Sequence, residues 1–266
     1  MPVVDHSLIQ NILFDISKKK ILPKFGNLSS QNIFNKNIKD IVTIVDIEVE
    51  SALKNILTNI LINSNFVGEE SYTKNPKILK YYLEDKFCWT VDPIDGTKNY
   101  VNKKSKFAVM IALTKKNKIY QSYIYKPITE EFIYADLDQG TFSNNKKIKI
   151  QEKNDIKNSI GSISKKYWSE NLEKKMLDIK KSFKKVNSYG SIGCEYLDIV
   201  IQKRDFTILS KLSPWDHIPG VFLIRQAGGN DCHFDKKKYR FFENSKNLIV
   251  SSSLKLNMEI INKLEE

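Results

Sequence analysis

The chain has 266 residues, of which 41% are hydrophobic and 28% are charged, as in ordinary globular proteins. This length allows one substantial core or two small lobes. The longest apolar run, Phe107 to Leu113, is far too short for a membrane span. Residues 1–10 lack the basic and then apolar pattern of a secretory signal, so we expect neither membrane insertion nor secretion.

Cysteine usage and charge narrow the class of protein further. Cys88, Cys194 and Cys232 are odd in number and widely spaced, which argues against a disulfide framework or a zinc site and favours the cytoplasm. The formal net charge is +12, but the lysines lie in small scattered groups. A solvated surface is therefore favoured over a nucleic-acid-binding face, and the positive field would attract an anionic substrate.

The first half of the chain predicts two helices followed by strands. Apolar residues repeat at helical spacing from Leu8 to Ile16 and from Val45 to Leu61, and Phe87–Val91 has strand character. Three further strands are predicted at Phe107–Thr114, Ile119–Tyr125 and Glu131–Ala135. Because short turns join these three, their neighbours must be antiparallel, since a parallel crossover needs a dozen or more residues.

After about residue 150 the predicted elements alternate between strands and helices. The strands are Ile160–Ser164, Lys185–Tyr189, Phe206–Leu209 and Leu248–Ser252. The helices are Trp168–Phe183, Gly193–Gln202, Asp216–Ala227 and one beginning at Leu254. Helices, an antiparallel meander and an alternating second half indicate a layered α/β architecture.

Two aspartates follow the strand Phe87–Val91 and are separated by Pro93 and Ile94. Proline fixes its own φ and has no N–H. Both carboxylates, Asp92 and Asp95, could therefore turn toward one point together with the intervening carbonyl. Oxygen ligands of this kind suit a hard cation such as Mg²⁺.

The next two residues, Gly96 and Thr97, fit phosphate binding. Glycine lets the backbone approach a ligand closely, and N–H groups that open a helical turn attract anions. An ordinary turn after a strand is the alternative, because Asp-Pro and Asp-Gly pairs are common in turns.

Four segments together resemble the signatures of the inositol monophosphatase family, in the order the family has them. They are Asp40–Asp46, Gly68–Ser71, Asp92–Tyr100 and Trp215–Gly220, and the similarity covers essentially the whole chain. The resemblance implies a Mg²⁺-dependent, lithium-sensitive phosphomonoesterase, cytoplasmic and commonly homodimeric. It also implies a five-layer α-β-α-β-α sandwich whose lobes, residues 1–150 and 151–266, form one catalytic unit.

The same resemblance assigns the ligands of two or three Mg²⁺ ions. Glu69, Asp92 and the carbonyl of Ile94 would hold the first ion. Asp92, Asp95 and Asp216 would hold the second. Exposed loop carboxylates are the alternative for Glu69 and its neighbour Glu70, and a helix N-cap is the alternative for Asp216.

The resemblance also assigns catalytic and phosphate-binding residues. Asp46 and Thr97 would orient the attacking water, with Glu69 as a further catalytic residue, and the backbone of Gly96 and Thr97 would bind the phosphate. A capping box is the competing interpretation of Asp46, because it lies three residues after Thr43 and just before an apolar run.

The substrate is less closely defined than the mechanism. Inositol-specific family members carry a glutamate six residues before the tryptophan of the last signature, where this chain has Leu209. The inositol-contacting segment corresponds to Gly193, Cys194 and Glu195, of which Glu195 could be a substitute acceptor. We expect inositol monophosphate or a similar polyol phosphate. The alternatives are 3′-phosphoadenosine 5′-phosphate, histidinol phosphate or a sugar bisphosphate and, less favoured, a non-catalytic nucleic-acid-binding protein.

Overall fold

The computed structural model describes residues 3–35, 40–243 and 246–266. These residues form eight α-helices: α1 (His6–Ile16), α2 (Ile44–Ile60), α3 (Glu69–Lys74), α4 (Thr97–Val101), α5 (Glu170–Ile179), α6 (Ile192–Val200), α7 (Pro214–Gln226) and α8 (Leu254–Glu265). They also form fourteen strands: β1 (Ile33–Asn35), β2 (Ile41–Thr43), β3 (Asn65–Gly68), β4 (Phe87–Asp95), β5 (Ala108–Lys115), β6 (Lys118–Lys126), β7 (Glu131–Asp136), β8 (Gly140–Ser143), β9 (Lys146–Ile148), β10 (Ile160–Ile163), β11 (Lys185–Val186), β12 (Phe206–Leu209), β13 (Asn230–Cys232) and β14 (Leu248–Ser251).

Two large sheets organise the described residues. The first has seven strands in the order β3-β4-β5-β6-β7-β8-β9, and the second has five in the order β11-β10-β12-β14-β13. From β4 to β9 every neighbour in the first sheet is antiparallel, whereas β3 and β4 are parallel. The predicted antiparallel meander is confirmed. The sequence prediction missed the short strands β3, β8 and β9, which contain Asn, Gly or Lys, residues that are depleted in strands.

Strand β5 shows how the seven-stranded sheet separates two cores. Val109 and Ile111 pack on one face with apolar residues of α1 and α2. Ala108 and Met110 pack on the other face with residues of α6 and α7. Successive strand residues point to opposite faces, so a strand that is apolar throughout can be buried on both sides.

Strand β14 shows that the five-stranded sheet also separates two cores. Leu248 and Val250 belong to the core that contains α6 and α7. Ile249 instead packs with residues of α5 and α8. The layers are therefore α1 and α2, the seven-stranded sheet, α6 and α7, the five-stranded sheet, and α5 with α8. This arrangement confirms the predicted five-layer sandwich.

Three predicted boundaries in the second half are wrong. Helix α5 begins at Glu170, because the side chain of Ser169 caps it by accepting the N–H of Leu172. Strand β11 ends at Val186, and the N–H of Tyr189 binds a carboxylate of α6 instead of a neighbouring strand. Helix α7 begins two residues before Asp216, with proline at its first position, where a missing N–H costs nothing.

The division of the chain into two lobes at residue 150 stays a prediction. Among the residues that the structure describes, every helix is too short or too polar to cross a membrane.

Candidate active site

The two aspartates of the central motif lie at the end of β4. The strand continues through Pro93 to Asp95, and its pairing with β5 shifts register between Asp92 and Asp95. In a regular strand, residues three apart point to opposite faces. The irregularity, at a proline that cannot donate to the ladder, lets both carboxylates reach the same cavity.

That cavity has a volume of about 730 Å³ and lies where β4, α3, α4, α6 and α7 meet. Its lining contains eight of the eleven predicted site residues: Glu69, Asp92, Ile94, Asp95, Gly96, Thr97, Glu195 and Asp216. Leu209, where inositol-specific family members carry a glutamate, also lines it. The structure thus brings together carboxylates from the first third and the last fifth of the sequence.

The positions of Glu69, Glu70 and Asp216 in their helices exclude the alternative interpretations of these carboxylates. Glu69 and Glu70 are the first residues of α3, and Glu70 is buried, so the exposed-loop interpretation is wrong. Asp216 is the third residue of α7, whose N-cap position is occupied by Ser213. The N-cap interpretation of Asp216 is therefore also wrong.

The N-terminus of helix α6 binds the carboxylate of Asp95. The N–H groups of Ile192 and Gly193 donate to the two carboxylate oxygens at 3.0 and 2.7 Å, and the hydroxyl of Ser191 donates as well. Gly193 is needed here because a Cβ would lie 3.0 Å from Asp95 Oδ2 and 2.9 Å from Met110 Sδ. A carboxylate at a helix start also interacts favourably with the helix dipole.

Burial, and to a smaller extent neighbouring negative charge, raises the pKa values of Asp92, Asp95 and Asp216. Burial, followed by the negative charge of Glu69, raises the pKa of Asp92 well above its ordinary value. Burial also raises the pKa of Asp95 to about 6 and that of Asp216 to about 8. A cluster of this kind demands either protons or a positive ion.

The donor set fits a hard divalent cation. Four carboxylates and the carbonyl of Ile94 are oxygen donors of the type that Mg²⁺ prefers. In residues 3–35, 40–243 and 246–266, no three His, Cys, Asp or Glu side chains are already arranged to hold a metal ion. The carboxylates share a cavity, and their chemistry is that of a binding site for a hard cation.

Asp46 both caps a helix and reaches the cavity residues. Its Oδ2 accepts the N–H of Thr43 at 2.8 Å in a complete capping box at the start of α2. Its Oδ1 faces the hydroxyl of Thr97 at 3.1 Å. The two interpretations of Asp46 are thus compatible, since each oxygen of the carboxylate has its own partner.

Asp46 should make stability depend on pH. Burial raises its pKa to about 6, against an ordinary 3.8, so its stabilising contribution is complete below pH 3.8 and is lost as pH rises through about 6. In EDTA, Asp46→Asn is expected to gain about 2 kcal/mol relative to the wild type between pH 4 and pH 7, because pH 4 already lies slightly above the ordinary pKa. Urea unfolding at both pH values measures this, and a pH-independent difference would contradict it.

The predicted substrate-binding segment has several structural contacts. The N–H of Gly193 binds Asp95, and the thiol of Cys194 packs in the core beside α7. The carboxylate of Glu195 accepts hydrogen bonds from Ser162 Oγ, Ser188 Oγ and the N–H of Tyr189. Glu195 lines the cavity, but three of its roughly four acceptor positions are already used. Its role in binding substrate stays a prediction, as do those of Gly193 and Cys194.

A second groove of about 770 Å³ adjoins the cavity. The two share several lining residues: Tyr72, Tyr167, Ser210, Lys211, Ser213 and Trp215. The groove adds Phe241, Phe242, Lys80 and Lys246 to its walls. With Lys80, Lys211 and Lys246 against one carboxylate, Glu243, the groove is aromatic and has a net positive charge.

Sequence reasoning missed two residues that shape the site. Ser191 supplies a hydroxyl to Asp95, and its position before a predicted helix was the available signal. Glu50 is a buried carboxylate on α2 that binds the first turn of α3. It interrupts an otherwise apolar helical face one turn after Asp46, and that pattern could have revealed it.

Comparison with known proteins identifies the family and agrees with the fold. The sequence profile of the inositol monophosphatase family matches residues 9–266. The fructose-1,6-bisphosphatase/inositol-1-monophosphatase of Thermotoga maritima is 26% identical over 243 residues, which are 88% of this chain and 90% of the relative. The inositol-1-monophosphatase of Bacillus subtilis is 26% identical over 221 residues, 82% of each chain.

A solved structure gives the same result for the fold. The IMPase of Thermotoga maritima superposes with a TM-score of 0.83 at 23% identity, covering 97% of this chain and 96% of that one. Together with the whole-length profile match, this shows that the chain belongs to the inositol monophosphatase family and is a phosphatase.

Proposed function

We propose that this protein is a Mg²⁺-dependent phosphatase that hydrolyses a small phosphate monoester, inositol monophosphate or a similar polyol phosphate. The observation that carries the proposal is the convergence of Glu69, Asp92, Asp95 and Asp216 on one cavity. The generally metal-dependent character of the family supports it.

The cavity residues suggest how two or three Mg²⁺ ions would be held. Glu69, Asp92 and the Ile94 carbonyl would bind one ion, and Asp92, Asp95 and Asp216 another. Bound Mg²⁺ supplies positive charge that activates a water and stabilises the entering and leaving oxygens of an in-line displacement.

Thr97 links the protein's own catalytic groups. Its hydroxyl has one proton and two acceptors, Asp46 Oδ1 and the carbonyl of Ile94, both at 3.1 Å. Donation to Asp46 leaves the carbonyl available to a cation. The Thr97 oxygen and the Asp46 carboxylate then orient the attacking water, while the N–H groups of Gly96 and Thr97 bind the phosphate.

The remaining parts of the proposal come from the family resemblance. We propose a cytoplasmic homodimer whose activity is inhibited by Li⁺. The net charge of +12 would favour the approach of an anionic substrate.

Phosphate release from a panel of monoesters tests the proposed function. With Mg²⁺ present, the purified protein is expected to hydrolyse inositol monophosphate, and EDTA is expected to abolish the activity. A preference of more than about 100-fold over other esters would mark inositol phosphate as the substrate. RNA binding with a steep salt dependence, without Mg²⁺-dependent phosphate release, would instead support the nucleic-acid-binding alternative.

A substrate with a second anionic group is the other candidate. Leu209 cannot accept a hydrogen bond from a sugar hydroxyl, and a site without such a partner discriminates poorly against other esters. The adjoining groove offers Lys80, Lys211 and Lys246 beside aromatic walls. The Thermotoga maritima relative is named for both bisphosphate and monophosphate hydrolysis, which agrees with this candidate.

Lys80→Ala separates the two candidates, because Lys80 lines the groove but not the catalytic cavity. If the groove binds a second phosphate, the variant should lose about 10-fold in kcat/KM for a sugar bisphosphate and keep its rate on inositol monophosphate. Lys180→Ala, on the surface after α5, is the matched control. Equal rates for wild type and Lys80→Ala on both substrates would favour the monophosphate candidate.

A further inference from the structure

Helix α2 carries a second buried carboxylate besides Asp46. Glu50 lies one helical turn further along, and only 4% of it is exposed. A buried glutamate is unusual unless it is paired or hydrogen-bonded. The partners of Glu50 show what it does.

All the hydrogen bonds that the structure assigns to Glu50 come from the first turn of α3. The N–H of Glu70 donates to Oε2 at 2.7 Å, and the N–H and hydroxyl of Ser71 donate to Oε1 at 2.7 and 2.6 Å. The first N–H groups of a helix have no partner inside it. Glu50 thus satisfies the backbone directly after Glu69 with charge-assisted bonds, which are the stronger kind.

Gly68, the residue before Glu69, leaves room for the side chain of Glu50 because it has no Cβ. A Cβ on Gly68 would lie 2.4 Å from the carboxyl carbon of Glu50, which is far closer than non-bonded carbon atoms approach. Gly68 also pairs with Val91 in the parallel ladder between β3 and β4. This register places Glu69 beside Asp92, the residue that follows Val91.

We propose that Glu50 is a positioning residue that fixes Glu69 next to Asp92 and so sets the affinity of the first Mg²⁺ site. The inference rests on the proposed function. It makes α2 the common support of the site, because Asp46 contacts Thr97 at one turn and Glu50 holds the turn of Glu69 at the next.

The experiment is a calorimetric Mg²⁺ titration of the full chain without substrate, well below its melting temperature. Glu50→Gln is expected to bind Mg²⁺ about 10- to 100-fold more weakly than the wild type, as is usual when a group that orients a metal ligand is lost. Glu48→Gln is the matched control. Glu48 lies two residues away on α2, is partly exposed and pairs with Lys24, so the variant should bind like the wild type.

Ser71→Ala keeps the inference testable if Glu50→Gln folds poorly, and Gly68→Ala adds a second test if Glu50→Ala folds. Ser71→Ala removes one hydrogen bond and is expected to weaken Mg²⁺ binding about 2- to 10-fold. In the wild-type background, Gly68→Ala is expected to weaken Mg²⁺ binding about as much as Glu50→Gln does. In a Glu50→Ala background, where the obstructing carboxylate is gone, the same glycine change should have little effect.

The outcomes distinguish this inference from the proposed function. If the wild type binds Mg²⁺ and Glu50→Gln binds it equally well, the positioning role is refuted and the phosphatase proposal is unaffected. A lower melting temperature in EDTA with an unchanged Mg²⁺ affinity would also refute it, because it would show a purely structural role. Failure of the wild type itself to bind Mg²⁺ would overturn both.

Discussion

Asp95→Asn is expected to lower kcat/KM for phosphate release by about 100-fold or more, or at least about 2.7 kcal/mol of transition-state stabilisation. Asp95 is a proposed ligand of the second Mg²⁺, and asparagine removes its negative charge. The fold should survive, because one amide oxygen can still accept an N–H from the start of α6. The measurement is Mg²⁺-dependent phosphate release, with circular dichroism to confirm folding.

Asp178→Asn provides the control for this prediction. Asp178 lies on α5 with 75% of its side chain exposed and pairs only with a surface lysine in the structure as described. Its activity should equal that of the wild type. Near wild-type turnover by a folded Asp95→Asn variant would remove Asp95 from the mechanism.

Mg²⁺ is expected to raise the melting temperature of the wild type by about 5 °C or more over the EDTA-treated protein. Two carboxylates 4 Å apart repel by roughly 4 kcal/mol at an effective dielectric constant of 20, and a divalent ion replaces this repulsion with attraction. A ligand at 100 times its Kd adds about 2.7 kcal/mol of stability, and each kcal/mol shifts the melting temperature of a domain of this size by about 2–4 °C.

The stabilisation should depend on the proposed ligands. Asp216 has a pKa of about 8 and is mostly neutral in the metal-free protein at pH 7, so the metal-free Asp216→Asn variant should be about as stable as the metal-free wild type. It should gain less from Mg²⁺, because asparagine cannot supply the charged carboxylate that a cation would bind. Differential scanning calorimetry over a range of Mg²⁺ concentrations measures both effects. An equal Mg²⁺-induced shift in the two proteins would exclude Asp216 as a ligand.

The overall layering of the fold could be predicted because its signals are local and repeated. The helical repeat from Val45 to Leu61 predicted α2, and the short turns after β5 and β6 fixed the antiparallel order of those strands. The short strands β3 and β13 contain Asn, Gly or Asp, which are depleted in strands, whereas the equally short β12 and β14 are rich in apolar residues and could be predicted. Strands β3 and β13 are defined by the neighbour to which they bond.

Sequence motifs predicted the carboxylates of the candidate site. They did not predict Glu50 and Ser191, the residues that hydrogen-bond to the site and hold it in place. Asp92 and Asp95 are recognisable from sequence because proline and glycine lie beside them. The contacts of Glu50 with the first turn of α3, and of Ser191 with Asp95, join residues about 20 and 96 positions apart. The sequence pattern can mark Glu50 and Ser191 as unusual residues, but it does not show their partners, because these pairings are created by the tertiary fold.

A crystal of the protein soaked in Mn²⁺, a Mg²⁺ substitute visible by anomalous scattering, gives the most direct test of the metal centre. We predict at least two anomalous peaks in the cavity, one contacted by Glu69, Asp92 and the Ile94 carbonyl and one by Asp92, Asp95 and Asp216. Peaks only at other carboxylates, or an empty cavity at millimolar Mn²⁺, would contradict the proposal that these residues form a binding site for divalent ions.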